Sequence, residues 1–326
     1  MRSDDSPREL WFTAPRTVEL RRGNVSEPKP GQVLARAIAS GVSQGTELLL
    51  YRGEGPSAFD PSLDEPGAAL YPRRYGYAWV GEVVTSSVDL ALGTRVFALA
   101  PHGDMGAIDA SRVRALPDDI PSERAVLAAN LETAITCVWD SGASIGDAVI
   151  VIGAGVVGLL VTWIASSLGA NVRVIEPSER RRAAALELGA SRASAPAAEA
   201  PVPKADIVFE ASGDPSQLDC AILHAANEAR IVVASFYGKR SAPLALGSEF
   251  HRRRLTLRSS QVSSIPPERA PRWSHERRFD LVLRLLRNEI LDLLIDDVAP
   301  FDEAPAIYAR LDRSGGEHLQ TVFTYR

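Results

Sequence analysis

Cysteine is scarce: 326 residues contain two, Cys137 and Cys220. That is too few for a disulfide framework, and it leaves no paired metal-ligand spacing. Cys137 sits in an apolar context that reads as a small buried residue. The N-terminus, MRSDDSPREL, lacks the apolar core of a secretory signal. Positive charge is not in excess either. The net formal charge is −5, so neither nucleic acid nor an anionic membrane surface is an expected partner. No internal repeat is visible. Charge is missing altogether between Asp147 and Arg173, a stretch long enough to cross a bilayer. Three glycines and a strand pattern inside it argue against one continuous membrane helix. A hydrophobic fraction of 45% is ordinary for a soluble protein, and the chain length favours two domains. The expectation is a cytoplasmic α/β protein.

What is present is concentrated between Asp147 and Glu176. A β-branched run at 149–152 leads into Gly153-Ala154-Gly155-Val156-Val157-Gly158. A helical stretch follows to Leu168, then a second apolar run at 171–175 that ends on Glu176. Strand, Gly-x-Gly-x-x-Gly, helix, strand and acid, in that order, are what a dinucleotide-binding crossover needs. Gly153 permits the tight turn, Gly155 leaves room for the pyrophosphate, and Gly158 lets the helix pack on the sheet. Free N–H groups at the helix start, at Val156 and Val157, face the phosphates with the positive end of the dipole behind them. Glu176 can accept from the ribose hydroxyls, which favours NAD. Arg180, Arg181 and Arg182 lie just beyond, and Arg181 in particular leaves NADP open through a 2′-phosphate. The carboxyl ends of later strands supply further expected contacts: Ser212, Gly213, Phe236 and Ser260.

The remainder is organised around this unit. Residues 8–125 read as mostly β, with runs at 33–38, 79–85 and 95–100 punctuated by Gly and Pro. The segment 52–74 reads as a long loop, either a lid or a plain surface excursion. From about 122 helix and strand alternate. Ser122 is expected to cap a helix through Leu131, and Ser178 one that Gly189 closes. Residues 195–204 read as a loop, with strands at 206–210, 230–235 and 255–258. Alternation of this kind implies a parallel, doubly wound sheet. Phe279, Val282, Leu283, Leu286, Ile290, Leu293 and Leu294 fall at helical steps, and 319–325 alternates like a strand. The arginines around His251–Arg254, with Arg258, Arg269, Arg272, Arg277 and Arg278, form the one basic concentration. It reads as solvated or ion-paired surface, or as an attraction for an anionic substrate.

A β-rich N-terminal part, a central Rossmann unit and a returning tail resemble the medium-chain dehydrogenase/reductase superfamily. Gly41-Val42-Ser43-Gln44-Gly45-Thr46-Glu47 lies where that superfamily carries its first active-site motif. Glu249-Phe250-His251, Leu257-Arg258-Ser259-Ser260-Gln261-Val262 and Pro271-Arg272-Trp273 look like its bacteriochlorophyllide a dehydrogenase-like branch. The resemblance implies a GroES-like catalytic domain at 1–121, a Rossmann domain at 122–265 and a return to the catalytic domain at 266–326. It also implies a small-molecule substrate, a homodimer, and a threonine, matched here by Thr133, near the nicotinamide. The positions matching the zinc ligands of other members are Ser43, Tyr77-Ala78 and Ala129, none of them a good ligand. No zinc is therefore expected. His102, Glu47 and Glu132 are the residues that would have to converge for another metal site.

Without a metal, hydrogen-bond donors must stabilise charge on the substrate oxygen and move its proton. Tyr77 and Ser43 are the first candidates, with Tyr77 as proton donor, against plain packing and turn-capping roles. Glu47 is the third candidate, and with Thr46 it is as well suited to capping the following helix. The leading expectation is a zinc-independent NAD(P)-dependent oxidoreductase interconverting a secondary alcohol and a ketone. Reduction of an activated C=C bond and a non-catalytic nucleotide-binding role are the alternatives.

Overall fold

In this computed structural model the residues described are 6–24, 27–55, 71–85, 90–196, 204–314 and 318–326. Strands β1 (Arg8–Ala14), β2 (Thr17–Arg22) and β3 (Gln32–Val42) lead into helix α1 (Gln44–Arg52). The short β4 (Arg73–Arg74), β5 (Trp79–Thr85), β6 (Arg95–Ala98), β7 (Met105–Asp109) and β8 (Val113–Ala115) follow. Helices α2 (Ser122–Ala125) and α3 (Ala128–Ser141) lead to β9 (Ala148–Ile152), α4 (Val156–Ser167), β10 (Asn171–Ile175), α5 (Glu179–Glu187) and β11 (Arg192–Ser194). Then come β12 (Ala205–Glu210), α6 (Gln217–His224), β13 (Ala225–Val233), β14 (Thr256–Ser259) and α7 (His275–Leu285). The chain ends with β15 (Ile295–Pro300), α8 (Ala304–Ser314) and β16 (Gln320–Thr324). No helix among the described residues is long and apolar enough to cross a membrane.

The chain divides into two units, Met1–Ala129 with Leu283–Arg326, and Asn130–Val282. The changes of unit fall inside α3 and inside α7. Both helices run without a break through the change of unit, so composition carries no mark of it.

In the first unit β3 is the spine, pairing antiparallel with β5, β7 and β16. Val33, Ala35 and Ala37 alternate into the core beside Trp79, Val83 and Val96. The pairing of Ser40 with Trp79 fixes what lies beyond both strands. Three residues past Ser40 on one side and two before Trp79 on the other stand Ser43 and Tyr77. A second cluster packs Phe12, Leu48, Tyr51, Phe301, Tyr308 and Phe323 under α1 and α8.

In the second unit a fully parallel six-stranded sheet has the order β11-β10-β9-β12-β13-β14. The direction of winding reverses between β9 and β12, the switch point at which such sheets bind ligands. Val149 to Ile152 are all at most 2% exposed, as a strand covered on both faces requires.

Several local expectations are corrected. Ser122 lies inside α2, whose N-cap is Pro121, and its hydroxyl accepts from Arg95 at 3.1 Å. The amphipathic tail does not run as one helix: α7 stops at Leu285. Asn288 then caps a 3-10 turn over Glu289–Leu294, whose steps also bring apolar residues to one face. Strand β15 was not anticipated, because its polar Asp296 and Asp297 hide the alternation. Most of the loop expected at 52–74, and of that at 195–204, lies outside the described residues. Of the basic concentration, Arg253, Arg254, Arg258 and Arg278 are ion-paired.

Arg278 is the most deeply committed of these, 3% exposed. Its guanidinium meets Glu132 at 3.0 Å, the Thr136 hydroxyl at 2.9 Å and the Val262 carbonyl at 2.8 Å. Arg278→Ala leaves the largely buried Glu132 without its partner and is expected to cost about 3–5 kcal/mol. Urea unfolding of the variant reads this directly, and a loss below about 1 kcal/mol, typical of a surface pair, contradicts it.

Candidate active site

The second unit carries a cradle for a dinucleotide. Gly153 has φ +93, and a Cβ there would lie 2.5 Å from Ser212 Cα. At Gly158 a Cβ would lie 2.0 Å from the Gly153 carbonyl oxygen. A Cβ on Gly155 would meet nothing within 4 Å, although this residue is the N-cap of α4. Two glycines are thus demanded by the protein's own packing, and the third by nothing the protein itself supplies. Space left open at a helix N-terminus, over the backbone N–H groups of Val156 and Val157, fits a diphosphate.

Two buried acids hold the loops around this space. Glu176, 5% exposed at the end of β10, accepts the Ala154 N–H at 2.8 Å and the Ser178 N–H at 2.9 Å. Each oxygen keeps a lone pair for a ribose hydroxyl. Ser178 caps α5, and Arg181 lies in its first turn. Arg182 donates to the carbonyls of Glu176 and Pro177 at 2.8 and 2.6 Å. Glu210, fully buried at the end of β12, accepts the Ser212 N–H at 2.8 Å and the hydroxyls of Ser212 and Tyr237. Burial, then the bond to Glu210, raises the Tyr237 pKa and keeps its proton on oxygen. Gly213, at φ +75, donates to the Ser235 hydroxyl at 2.9 Å.

The other expected cofactor residues are placed as follows. Phe236 is 47% exposed after β13, and Thr133 is half-buried on α3. The Ser260 hydroxyl is already engaged, donating to Asp140 at 2.7 Å. Cys137 is buried, as expected, and burial pushes its thiol up to about 12.

The first unit carries the hydroxyl cluster. Ser43 is the N-cap of α1, yet its side chain makes no cap hydrogen bond. Its backbone N–H is taken instead by Glu47 Oε1 at 2.8 Å, and its Oγ accepts the Tyr77 hydroxyl. The Thr46 hydroxyl lies 3.4 Å from Tyr77 Oη. A serine in this position ordinarily contributes about 1 kcal/mol by capping; here the acid four residues on takes over that end, and the serine oxygen is free for other work. Burial, the largest effect, raises the Tyr77 pKa, and the bonds from Ser43 and Thr46 only partly oppose it. Tyr77 therefore stays a neutral donor.

Glu47 itself is fully buried. Its Oε2 accepts from His102 Nε2 at 3.0 Å and from the Tyr308 hydroxyl. It touches no open space, so its place is behind the hydroxyl pair rather than against a substrate.

Comparison with known proteins finds dehydrogenases. The zinc-binding dehydrogenase family model matches residues 156–276. The D-guloside 3-dehydrogenase of Escherichia coli K12 is 26% identical over 92% of this chain and 95% of its own. The 2-desacetyl-2-hydroxyethyl bacteriochlorophyllide A dehydrogenase of Cereibacter sphaeroides is 28% identical over 69% of this chain and 73% of its own. A zinc-binding dehydrogenase structure from Sinorhizobium meliloti 1021 bound to NADP superposes with a TM-score of 0.81, at 20% identity, over 98% of this chain and all of that one. The chain has the fold of the medium-chain dehydrogenases/reductases. Fold, glycine motif and dehydrogenase relatives together make it an NAD(P)-dependent oxidoreductase.

A zinc ion, usual in this superfamily, needs thiolate, imidazole or carboxylate donors. The residues gathered here do not fit one. Ser43 and Tyr77 are bonded to each other through neutral hydroxyls, Ala78 and Ala129 are buried and without donors, and Glu47 and His102 have spent their oxygens and nitrogens on protein partners. Among the described residues no group of three or more His, Cys, Asp or Glu is placed to hold a metal. Of the residues that would have had to converge on a metal, Glu47 and His102 do meet, while Glu132 pairs with Arg278.

Sequence reasoning missed Glu210, Tyr237 and the contact of His102 with Ser40. Glu210 carried a usable signal, an acid ending an apolar strand just before Ser-Gly, as Glu176 ends β10. His102 carried none.

The glycines give a paired prediction. Gly155→Ala is expected to leave the thermal midpoint unchanged while weakening NADH by about tenfold or more, about 1.4 kcal/mol. Gly158→Ala is expected to lower the midpoint itself. Thermal scans with NADH titration measure both; equal effects at the two positions contradict the cradle.

Proposed function

We propose that the protein is a zinc-independent, NAD-linked oxidoreductase that interconverts a secondary alcohol and a ketone on a small hydroxylated substrate. The observation that carries this reading is the Ser43–Tyr77 pair: two hydroxyls in contact at the motif positions where zinc members of the superfamily bear ligands. Names among the relatives support a hydroxylated substrate, speaking of a D-guloside and of (R,R)-butanediol. Glu176, unencumbered by the Arg182 guanidinium, supports NAD over NADP. A homodimer is expected of the superfamily.

The nicotinamide, when bound, supplies or accepts the hydride. The chain's residues hold the cofactor and handle the proton. Ala154 and Ser178 amides orient Glu176 toward ribose hydroxyls, and the bend at Gly153 bares the α4 amides to the diphosphate. Tyr77 donates into Ser43 Oγ, which leaves the Ser43 proton as the one given to a substrate oxygen during reduction. The Tyr77 proton then refills Ser43, the phenolate left on Tyr77 takes a proton from solvent, and the Thr46 hydroxyl at 3.4 Å is placed to hydrogen-bond that phenolate meanwhile. The raised pKa makes the phenol a weaker acid but keeps its donor form populated through the neutral range.

Tyr77→Phe is expected to lower kcat by about a hundredfold while leaving the Kd for NADH unchanged. Because the raised pKa protects the donor form, the reduction rate of the native enzyme should persist to about pH 10, the ordinary phenol value, and decline only above it. A decline centred near neutrality assigns the proton to another group.

Diols, polyols and glycosides with NAD should be turned over in preference to enones with NADPH, and calorimetry should show NADH binding more tightly than NADPH. Turnover of enones alone, or stoichiometric zinc in elemental analysis with activity lost to a chelator, overturns the proposal.

A further inference from the structure

His102 lies fully buried at the centre of a hydrogen-bonded chain that none of the roles above uses. Its Nδ1 meets Ser40 Oγ at 2.6 Å, and Ser40 Oγ meets the Tyr325 hydroxyl at 2.6 Å. Its Nε2 faces Glu47 Oε2 at 3.0 Å. The Ser43 amide and the Tyr308 hydroxyl both donate to this carboxyl group, and the tautomer with hydrogen on Nε2 completes the same pattern.

The residue also reaches the other half of the hydroxyl pair. Its backbone N–H donates to the Tyr75 carbonyl at 3.1 Å. Its ring lies against Gly76, where a Cβ would stand 2.6 Å from Cδ2 and 2.8 Å from Nε2. Gly76 has φ +118 and directly precedes Tyr77. One imidazole therefore touches the acid that holds the Ser43 amide and the glycine that sets the course of Tyr77. Phe323 closes the remaining side edge-on, with ring centroids 5.4 Å apart.

We propose that His102 is the positioning residue of the Ser43–Tyr77 pair, fixing the separation of the two hydroxyls through Glu47 on one side and Gly76 on the other. This rests on the reading of Ser43 and Tyr77 as the proton-handling pair. The chain is a strut and not a proton wire. Between Glu47 and Ser43 the link is a backbone amide, which holds geometry but does not pass protons in turn. A misplacement of about 1 Å at such a pair costs about a hundredfold in rate, so the strut matters without touching substrate.

The test uses the full-length protein carrying [ζ-13C]tyrosine, with the Tyr77 resonance assigned by its loss in Tyr77→Phe. No substrate is needed for this arm. His102→Ala and Ser40→Ala should both move the Tyr77 resonance, and His102→Gln, which keeps an N–H for Glu47, should bring it back toward the native position. On the alcohol that the native enzyme turns over, His102→Ala should lower kcat by about a hundredfold with little change in KM, and should add almost nothing in the Tyr77→Phe background.

A Tyr77 resonance unmoved in both variants overturns the proposal, as do losses that add independently to that of Tyr77→Phe. If His102→Ala does not fold, Ser40→Ala carries the same test, because it removes one hydroxyl with almost no change in volume. If the resonance moves but Tyr77→Phe keeps full activity, the strut stands as a structural fact, and both the catalytic reading of Tyr77 and the catalytic consequence of the strut fall.

Discussion

Three glutamates, each buried or nearly so, take the amide hydrogens of the loops that make up the two sites. Glu47 takes that of Ser43, Glu176 those of Ala154 and Ser178, and Glu210 that of Ser212. A carboxylate withdrawn from water is costly unless its lone pairs are filled, so each of these acids tolerates only a loop conformation that presents donors to it. The same requirement that makes them costly makes them precise. A loop with no regular hydrogen bonds of its own acquires one defined shape by satisfying a buried charge. The glycine bend and the serine turn are held in this way, one in each unit.

Around these acids the two units use different means to bring distant residues together. In the second unit the parallel order β10-β9-β12 sets the ends of β9 and β12 side by side. The glycine bend and the Ser212 loop then meet at a distance that excludes any Cβ on Gly153. In the first unit antiparallel register does the work, since pairing Ser40 with Trp79 delivers Ser43 and Tyr77 to the same edge. Aromatic rings fill the space behind them, with Phe12, Tyr51 and Tyr308 packed under α1. The Tyr308 hydroxyl reaches Glu47 out of that apolar layer and so couples core packing to the geometry of the turn.

Much of this was legible in the residues. The crossover from 148 to 176 follows its sequence almost to the residue, because strand, glycine bend and capped helix are each set by neighbours within a few positions. That Ser43 and Tyr77 belong to one site was legible only through resemblance, and their contact across 33 intervening positions was not legible at all. What was not legible has a common cause. The end of α7, the strand β15 and the place of Ser122 inside a helix depend on partners far along the chain. The bond from the Ser260 hydroxyl to Asp140 likewise joins residues 120 positions apart, which only the placing of α3 beside β14 brings together.

The sequence by itself determined a dinucleotide fold, since glycine spacing, strand patterning and helix caps are local properties. Only the tertiary structure decided which hydroxyls meet, that Glu47 lies behind them, and that His102 joins the two turns. Hydrogen bonds between side chains depend on register and packing to within an ångström, and those are set by the whole core rather than by any segment of the chain.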